Sequence, residues 1–161
     1  MKQKKCAIRG TSFDEIQSRF LGSITDDMYL EMTKEDTEEI LDELLIQALP
    51  WFKFPKNKNL LKYDLKNRCF YEKLNEMEIA IVVKYMTMTW LQQQIYTVDN
   101  IRQKYSGSDF KFTSQASHIK QLVALKAETE REGYHLQSNY SRMELKDGVY
   151  RSSLSKIMEV Y

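Results

Sequence analysis

The chain has 161 residues, with 24 Lys and Arg against 23 Asp and Glu, so its net charge of +1 by itself implies neither a nucleic-acid nor a membrane partner. Hydrophobic and charged fractions of 42% and 29% are those of one globular domain and exclude a wholly disordered chain. Two prolines and five glycines offer little to a turn-rich β architecture, and no apolar run is long enough to span a membrane.

Met1–Gly10 is basic (Lys2, Lys4, Lys5, Arg9) but lacks the apolar stretch of a signal peptide. Cys6 and Cys69 have no CxxC spacing and no histidine beside them, which reads as reduced thiols in a cytosolic place of synthesis. Ser12 followed by Glu15 is a capping pair, and Ile16 and Phe20 fall one turn apart; a short helix is expected over 13–21, ended by Gly22. Thr33-Lys34-Glu35-Asp36 opens a second helix, whose apolar stripe is Ile40, Leu41, Leu44, Leu45, Ala48 and Leu49. Pro50 ends it, because proline disfavours helical geometry in the residue before it.

Trp51-Phe52-Lys53-Phe54-Pro55 is an aromatic cluster. Residues 56–74 are basic and poorly periodic, and read either as a long surface loop with a short helical turn or as a subunit contact. Asn75 with Glu78 opens the strongest element, in which Ile79, Val82, Val83, Met86, Trp90, Leu91, Ile95, Val98, Ile101 and Tyr105 mark nearly every turn. At 1.5 Å per residue this helix reaches ~43 Å, and Gly107 is its natural C-terminal residue.

A second long helix is expected from Ser114 towards Leu145, with Ala116, Ile119, Leu122, Val123 and Leu125 early and Leu136, Tyr140 and Met143 late. Lys126 to Gly133 between them is almost wholly charged, and a helical glycine costs about 1 kcal/mol against alanine; a kink, or burial of the far half by a neighbouring chain, follows as an expectation. Asp147-Gly148 fits a small hairpin joining Met143–Lys146 to Val149–Arg151, and fits a simple helix stop equally well. Leu154, Ile157, Met158 and Tyr161 form a last amphipathic turn or two. The fold class is all-α: one helical domain over 1–161 with two long antiparallel helices, and with 1–12 and 146–161 as extended arms contacting neighbours.

Charge is segregated along the chain. Asp26 to Glu43 holds nine carboxylates against Lys34, whereas Lys53 to Arg68 holds six cations against Asp64. Blocks of opposite sign suit subunits that meet side to side, and equally suit two solvated faces of a monomer.

The sequence carries no legible catalytic site, cofactor motif or metal-ligand pattern. His118 and His135 stand seventeen residues apart in one expected helix, roughly 25 Å along its axis, too far to share a metal. Ser106-Gly107-Ser108 follows a helix and lacks the strand–turn–helix setting of a hydrolase nucleophile. Neither GxGxxG nor GxxxxGK[ST] occurs. Trp51-Phe52-Lys53-Phe54 with the lysines after it offers rings and cations to a nucleic acid, or else rings to the core and lysines to water.

Trp90-Leu91-Gln92-Gln93-Gln94 and the run Tyr105-Ser106-Gly107-Ser108-Asp109-Phe110-Lys111-Phe112-Thr113-Ser114-Gln115-Ala116 resemble structural proteins from the head–tail region of tailed bacteriophages of Gram-positive hosts. Leu45-Ile46-Gln47-Ala48-Leu49-Pro50 and Phe52-Lys53-Phe54-Pro55 share that likeness, which extends over about 25–145. The resemblance implies a virion protein, not an enzyme: an adaptor of the head–tail connector, made in the host cytoplasm and placed in the virion neck. Such an adaptor is a homo-oligomeric ring between the portal protein and the stopper or tail proteins, with DNA passing through without sequence-specific binding and no membrane partner. The basic 53–68 segment matches no adaptor element. The alternatives are another tail or baseplate component, or a small helical nucleic-acid-binding regulator. Under the adaptor reading the candidate interface residues are Trp51, Phe52 and Phe54, with Tyr105, Ser106, Gly107, Ser108, Asp109, Phe110 and Phe112.

Overall fold

The computed structural model describes residues 10–24, 29, 32–104, 112–146 and 149–152, with the backbone alone at 101–104, 112–115, 144–146 and 149–152. The chain is mainly α-helical, as its periodicity indicates. Helix α1 (Phe13–Leu21) starts where Ser12 Oγ accepts the Glu15 N–H at 3.2 Å, and it buries Phe13, Ile16 and Phe20. Helix α2 (Lys34–Ala48) starts likewise, Thr33 Oγ1 accepting the Asp36 N–H at 3.2 Å, and buries Leu41, Leu44, Leu45 and Ala48. At Pro50 the helix tightens into a 3-10 turn, Leu49–Trp51, which accommodates proline in its first residues.

The following stretch, read from sequence either as a loop with a short helical turn or as a subunit contact, contains a small hairpin. Strand β1 (Tyr63–Asp64) pairs antiparallel with β2 (Cys69–Phe70), and Ser12 adds a bridge to Cys69. Two residue pairs are too short for alternation to announce a strand. The chain entering α1 presses on this hairpin: a Cβ on Gly10 would lie 1.8 Å from the Phe70 carbonyl oxygen, so only glycine fits. Thr11 is buried, and its hydroxyl accepts the Leu74 N–H at 2.8 Å.

Helix α3 (Glu76–Lys104) has a reciprocal cap. Asn75 Oδ1 accepts the N–H groups of Met77 and Glu78 at 2.9 and 3.0 Å, and Glu78 Oε2 accepts the Asn75 N–H at 2.7 Å. Helix α4 (Phe112–Arg142) returns antiparallel to it, as the pairs Lys84–Glu132, Tyr85–Gln137 and Glu78–Tyr140 define. It begins two residues before Ser114 and stops before Leu145, because Met143–Lys146 (β3) pairs with Val149–Ser152 (β4), Lys146 opposite Val149. The hairpin alternative at Asp147-Gly148 is therefore the one adopted. No break occurs at Gly133, which is buried within α4 beneath the ring of Tyr85.

One core unites α1, α2, the 3-10 turn, the β1–β2 region and the inner half of α3, and Tyr140 closes it from α4. Each fully buried Leu, Ile or Phe contributes about 1.5–3 kcal/mol. Among the described residues this cluster reaches Trp90 on α3 and stops at Leu136 on α4, and beyond it the two long helices pack mainly on each other. Of the two arms read from sequence, residues 1–9, 147–148 and 153–161 lie outside the described residues, together with Cys6, Leu154, Ile157, Met158 and Tyr161. Among the described residues no helix is long and apolar enough to cross a membrane.

Candidate protein-interaction surface

The inner ends of α3 and α4 meet at a buried polar seam. Tyr140 Oη–H donates to Glu78 Oε1 at 2.6 Å, while Oη accepts the Lys56 N–H at 3.2 Å. One turn away, Gln137 Nε2–H donates to Tyr85 Oη at 3.0 Å, and Gln137 Oε1 accepts the Lys53 N–H at 2.6 Å. The two helical side chains thus hold residues 52–56, a strap that leaves the 3-10 turn and crosses α4. Burial pushes the Tyr85 phenol up to about 12, and the neighbouring Tyr134 and Glu130 act in the same sense. Every fully buried side-chain nitrogen and oxygen among the described residues has a partner, and the seam's bonds hold α3, α4 and the strap together.

The strap divides the aromatic residues singled out by sequence. Phe52 is 3% exposed and meets Tyr140 edge-on at 5.4 Å, so it belongs to the core. Trp51 is 38% exposed and stacks on Tyr85 at 6.5 Å, and Phe54 is 62% exposed. Lys53 and Lys56 lie over the rings of Tyr134 and Tyr140 at 5.7 and 5.2 Å. Tyr105, Ser106, Gly107, Ser108, Asp109 and Phe110 lie outside the described residues, and Phe112 opens α4, described there by its backbone.

The two charge blocks meet inside the subunit at one residue. Arg68 sits at φ 51, in the left-handed region that costs a side-chain-bearing residue roughly 1–2 kcal/mol. From there its Nε and Nη2 donate to Asp42 at 2.9 and 3.0 Å, Nη2 to Gln17 Oε1 at 2.9 Å, and Nη1 pairs with Glu38 and Asp14 at 3.0 Å each. Burial lowers the proton affinity of this guanidinium, but Asp42, Asp14 and Glu38 outweigh it and the net shift is upward. The turn before it is held by Asp64, whose carboxylate accepts from the side chain and backbone of Asn67 and the backbone of Lys66. Those bonds keep Asp64 below the ordinary aspartate range.

Sequence reasoning missed Arg68, Gln137 and the Glu78–Tyr140 pair as structural groups. The available signals were slight: Arg68 is the one arginine among lysines, and Gln137 is a polar residue set between Leu136 and Tyr140 on an apolar stripe.

Three outer surfaces remain. Phe54, Leu65 and Tyr71 are exposed at 62%, 54% and 60%, in a segment whose Lys53, Lys58, Lys62 and Lys66 also face solvent. Glu35, Glu39 and Glu43 run along the outer face of α2, opposite its buried leucines. Tyr96, Val123 and Leu125 are exposed on the α3–α4 pair, and beside Leu125 a cleft of about 310 Å³ lies against Ser23 and Ile24, with Lys84–Glu132 in its wall. His118 and His135 are both exposed on α4, and among the described residues no group of three His, Cys, Asp or Glu is placed to hold a metal. Comparison with protein-family models, with curated proteins and with solved structures finds no match to this chain. Fold and surfaces together define a helical protein whose buried polar groups serve its own architecture and whose exposed rings lie on more than one face.

Proposed function

We propose that this chain is a virion structural protein, an adaptor of a phage head–tail connector that assembles as a ring between portal and stopper or tail. The likeness of Trp90–Gln94 and Tyr105–Ala116 to neck proteins is the source of the virion assignment. The structural observation that carries the assembly reading is the distribution of exposed apolar side chains. Phe54, Leu65 and Tyr71 lie on the segment between α2 and α3, whereas Tyr96, Val123 and Leu125 lie on the paired long helices. Exposed apolar side chains on separate parts of one subunit suit heterologous contacts, which close into rings where the rotation between subunits permits. A nucleic-acid-binding role is the second reading, favoured by the exposed lysines around Phe54 and Tyr71.

Electron microscopy of the native particle, with this chain traced into the neck density, tests the proposal. A ring of copies between portal and tail is the expected result. Placement elsewhere in the tail removes the adaptor assignment, and absence from purified particles removes the virion role.

A further inference from the structure

The basic segment and α2 carry equal and opposite charge. Residues 53–68 hold six cations against Asp64, a net +5; Lys34–Ala48 hold six carboxylates against Lys34, a net −5. Inside the subunit these blocks are joined by Arg68, which takes up Asp42 and Glu38 on one flank of α2. The outer flank is left with Glu35, Glu39 and Glu43, spaced four residues apart. Among the described residues no cation lies within the 4.0 Å ion-pair limit of these three glutamates. Like charges at that spacing are mutually destabilising by about 0.2–0.5 kcal/mol per pair, and α2 has no basic residue in its last turn to offset them. On the other side, Lys58, Lys62 and Lys66 are exposed on the segment that also exposes Leu65 and Phe54.

We propose that this lysine-bearing segment, with its exposed Phe54 and Leu65, docks on the outer face of α2 in a second copy of the chain. The inference rests on the self-assembly reading above and specifies which surfaces meet. The mating faces are different parts of the molecule, so each subunit has both a donor and an acceptor face, and in the ring reading they meet head to tail. Arg68 is the intramolecular counterpart, one cation of this segment already lying between Asp42 and Glu38 of α2. Individual exposed ion pairs contribute little; the array sets register and orientation while the apolar side chains contribute affinity.

The test is sedimentation of the full-length chain at about 0.05 M and about 0.5 M salt, where the screening length falls several-fold. Wild type is compared with Lys58→Glu/Lys62→Glu/Lys66→Glu, with Glu35→Lys/Glu39→Lys/Glu43→Lys, and with an equimolar mixture of the two. These lysines are chosen because, unlike Lys53 and Lys56, they do not lie over Tyr134 or Tyr140. Thermal melts establish that each variant folds, and the salt dependence of wild type reads the contact without any substitution. The expected result is assembly of wild type that weakens with salt, at least tenfold weaker assembly of each variant alone, and recovery in the mixture, where every donor face again meets an acceptor of opposite sign. Assembly unchanged in both variants overturns this contact and leaves self-assembly standing. Wild type that stays monomeric at high concentration and low salt overturns both. If only the lysine variant is affected and duplex DNA competes for the face, its partner is a polyanion; if only the glutamate variant is affected, another cationic surface covers α2, and either outcome overturns the proposal.

Discussion

The ring of Tyr85 occupies the space a side chain at Gly133 would fill: a Cβ there would stand 3.0 Å from Tyr85 Cε1 and 3.3 Å from Cζ. This contact lets α4 approach α3 closely at the seam, and it reverses the meaning of the glycine from a weak point in a helix to a packing requirement.

Gly133→Ala is accordingly expected to lower stability by about 1 kcal/mol, despite alanine's helical advantage of about 1 kcal/mol, because crowding a packed site costs about 1–3 kcal/mol. Tyr85 has little room to yield, being bonded to Gln137 and stacked on Trp51. Urea denaturation with an unchanged m-value is the measurement, and a stabilised variant would mean that the ring swings aside.

At the other end of the seam, Tyr140→Phe strips the bond to Glu78 Oε1 and leaves a buried carboxylate oxygen without its donor. The expected cost is about 1–3 kcal/mol. Glu78→Gln keeps one acceptor oxygen and is expected to cost less, about 1 kcal/mol. The double variant should lose less than the sum, since both changes act on the same Glu78–Tyr140 contact, and a double-mutant cycle measures that coupling.

Removal of Arg68 takes away the cation shared by Asp14, Glu38 and Asp42, and among the described residues Lys34, 3.6 Å from Glu38, is the cation left beside them. Arg68→Ala is expected to cost about 2 kcal/mol, below the range for a fully buried pair because the arginine is partly exposed. Arg68→Gly should be about 1 kcal/mol more stable than Arg68→Ala, because glycine is at ease at φ 51. Equal stability of the two would show that the backbone had moved out of the left-handed region.

Tyr85 gives an alkaline signature. Its folded pKa of about 12 lies above the ordinary tyrosine value of 10.0, so between these values the native state binds a proton that the unfolded chain has lost. Stability is therefore intact below about pH 10 and declines as pH rises through about 12. Phenolate absorbance should lose one late ionisation in Tyr85→Phe, and the alkaline loss of stability should become shallower.

Gly10→Ala should loosen the β1–β2 hairpin, since its Cβ would overlap the Phe70 carbonyl. Cys69, a free and buried thiol beside Phe70, reports this directly. In a Cys6→Ser background, the thiol should react with a disulfide reagent several-fold faster in the alanine variant.

Local chemistry made α1, α2 and α3 legible: Ser12, Thr33 and Asn75 each sit where a cap is needed, and each is followed by a helical apolar stripe. The β1–β2 hairpin was hidden because its strands are two residues long and are secured from afar, by Ser12 against Cys69 and by Arg68 against α2. Gly133 was misread for a related reason: its partner Tyr85 lies on another helix, and no local pattern links them. Among the candidate interface aromatics, Phe52 and Phe54 look alike in sequence, yet Tyr140 takes Phe52 into the core while Phe54 stays 62% exposed among the described residues. Burial of that kind is decided by distant packing, which composition and spacing do not encode.

Gln137 and Tyr140 accept the main-chain N–H groups of residues 53 and 56, while the lysine side chains there lie over the rings of Tyr134 and Tyr140. The two hydrogen bonds, unlike the ring contacts, are blind to side-chain identity. Any residue except proline, which has no N–H, keeps the same two bonds. Related chains can rewrite the charge and shape of this outer surface, lysine by lysine, while the framework beneath stays the same. The seam separates what must be kept from what is free to vary, and it makes residues 53–56 a place where recognition can diversify without refolding.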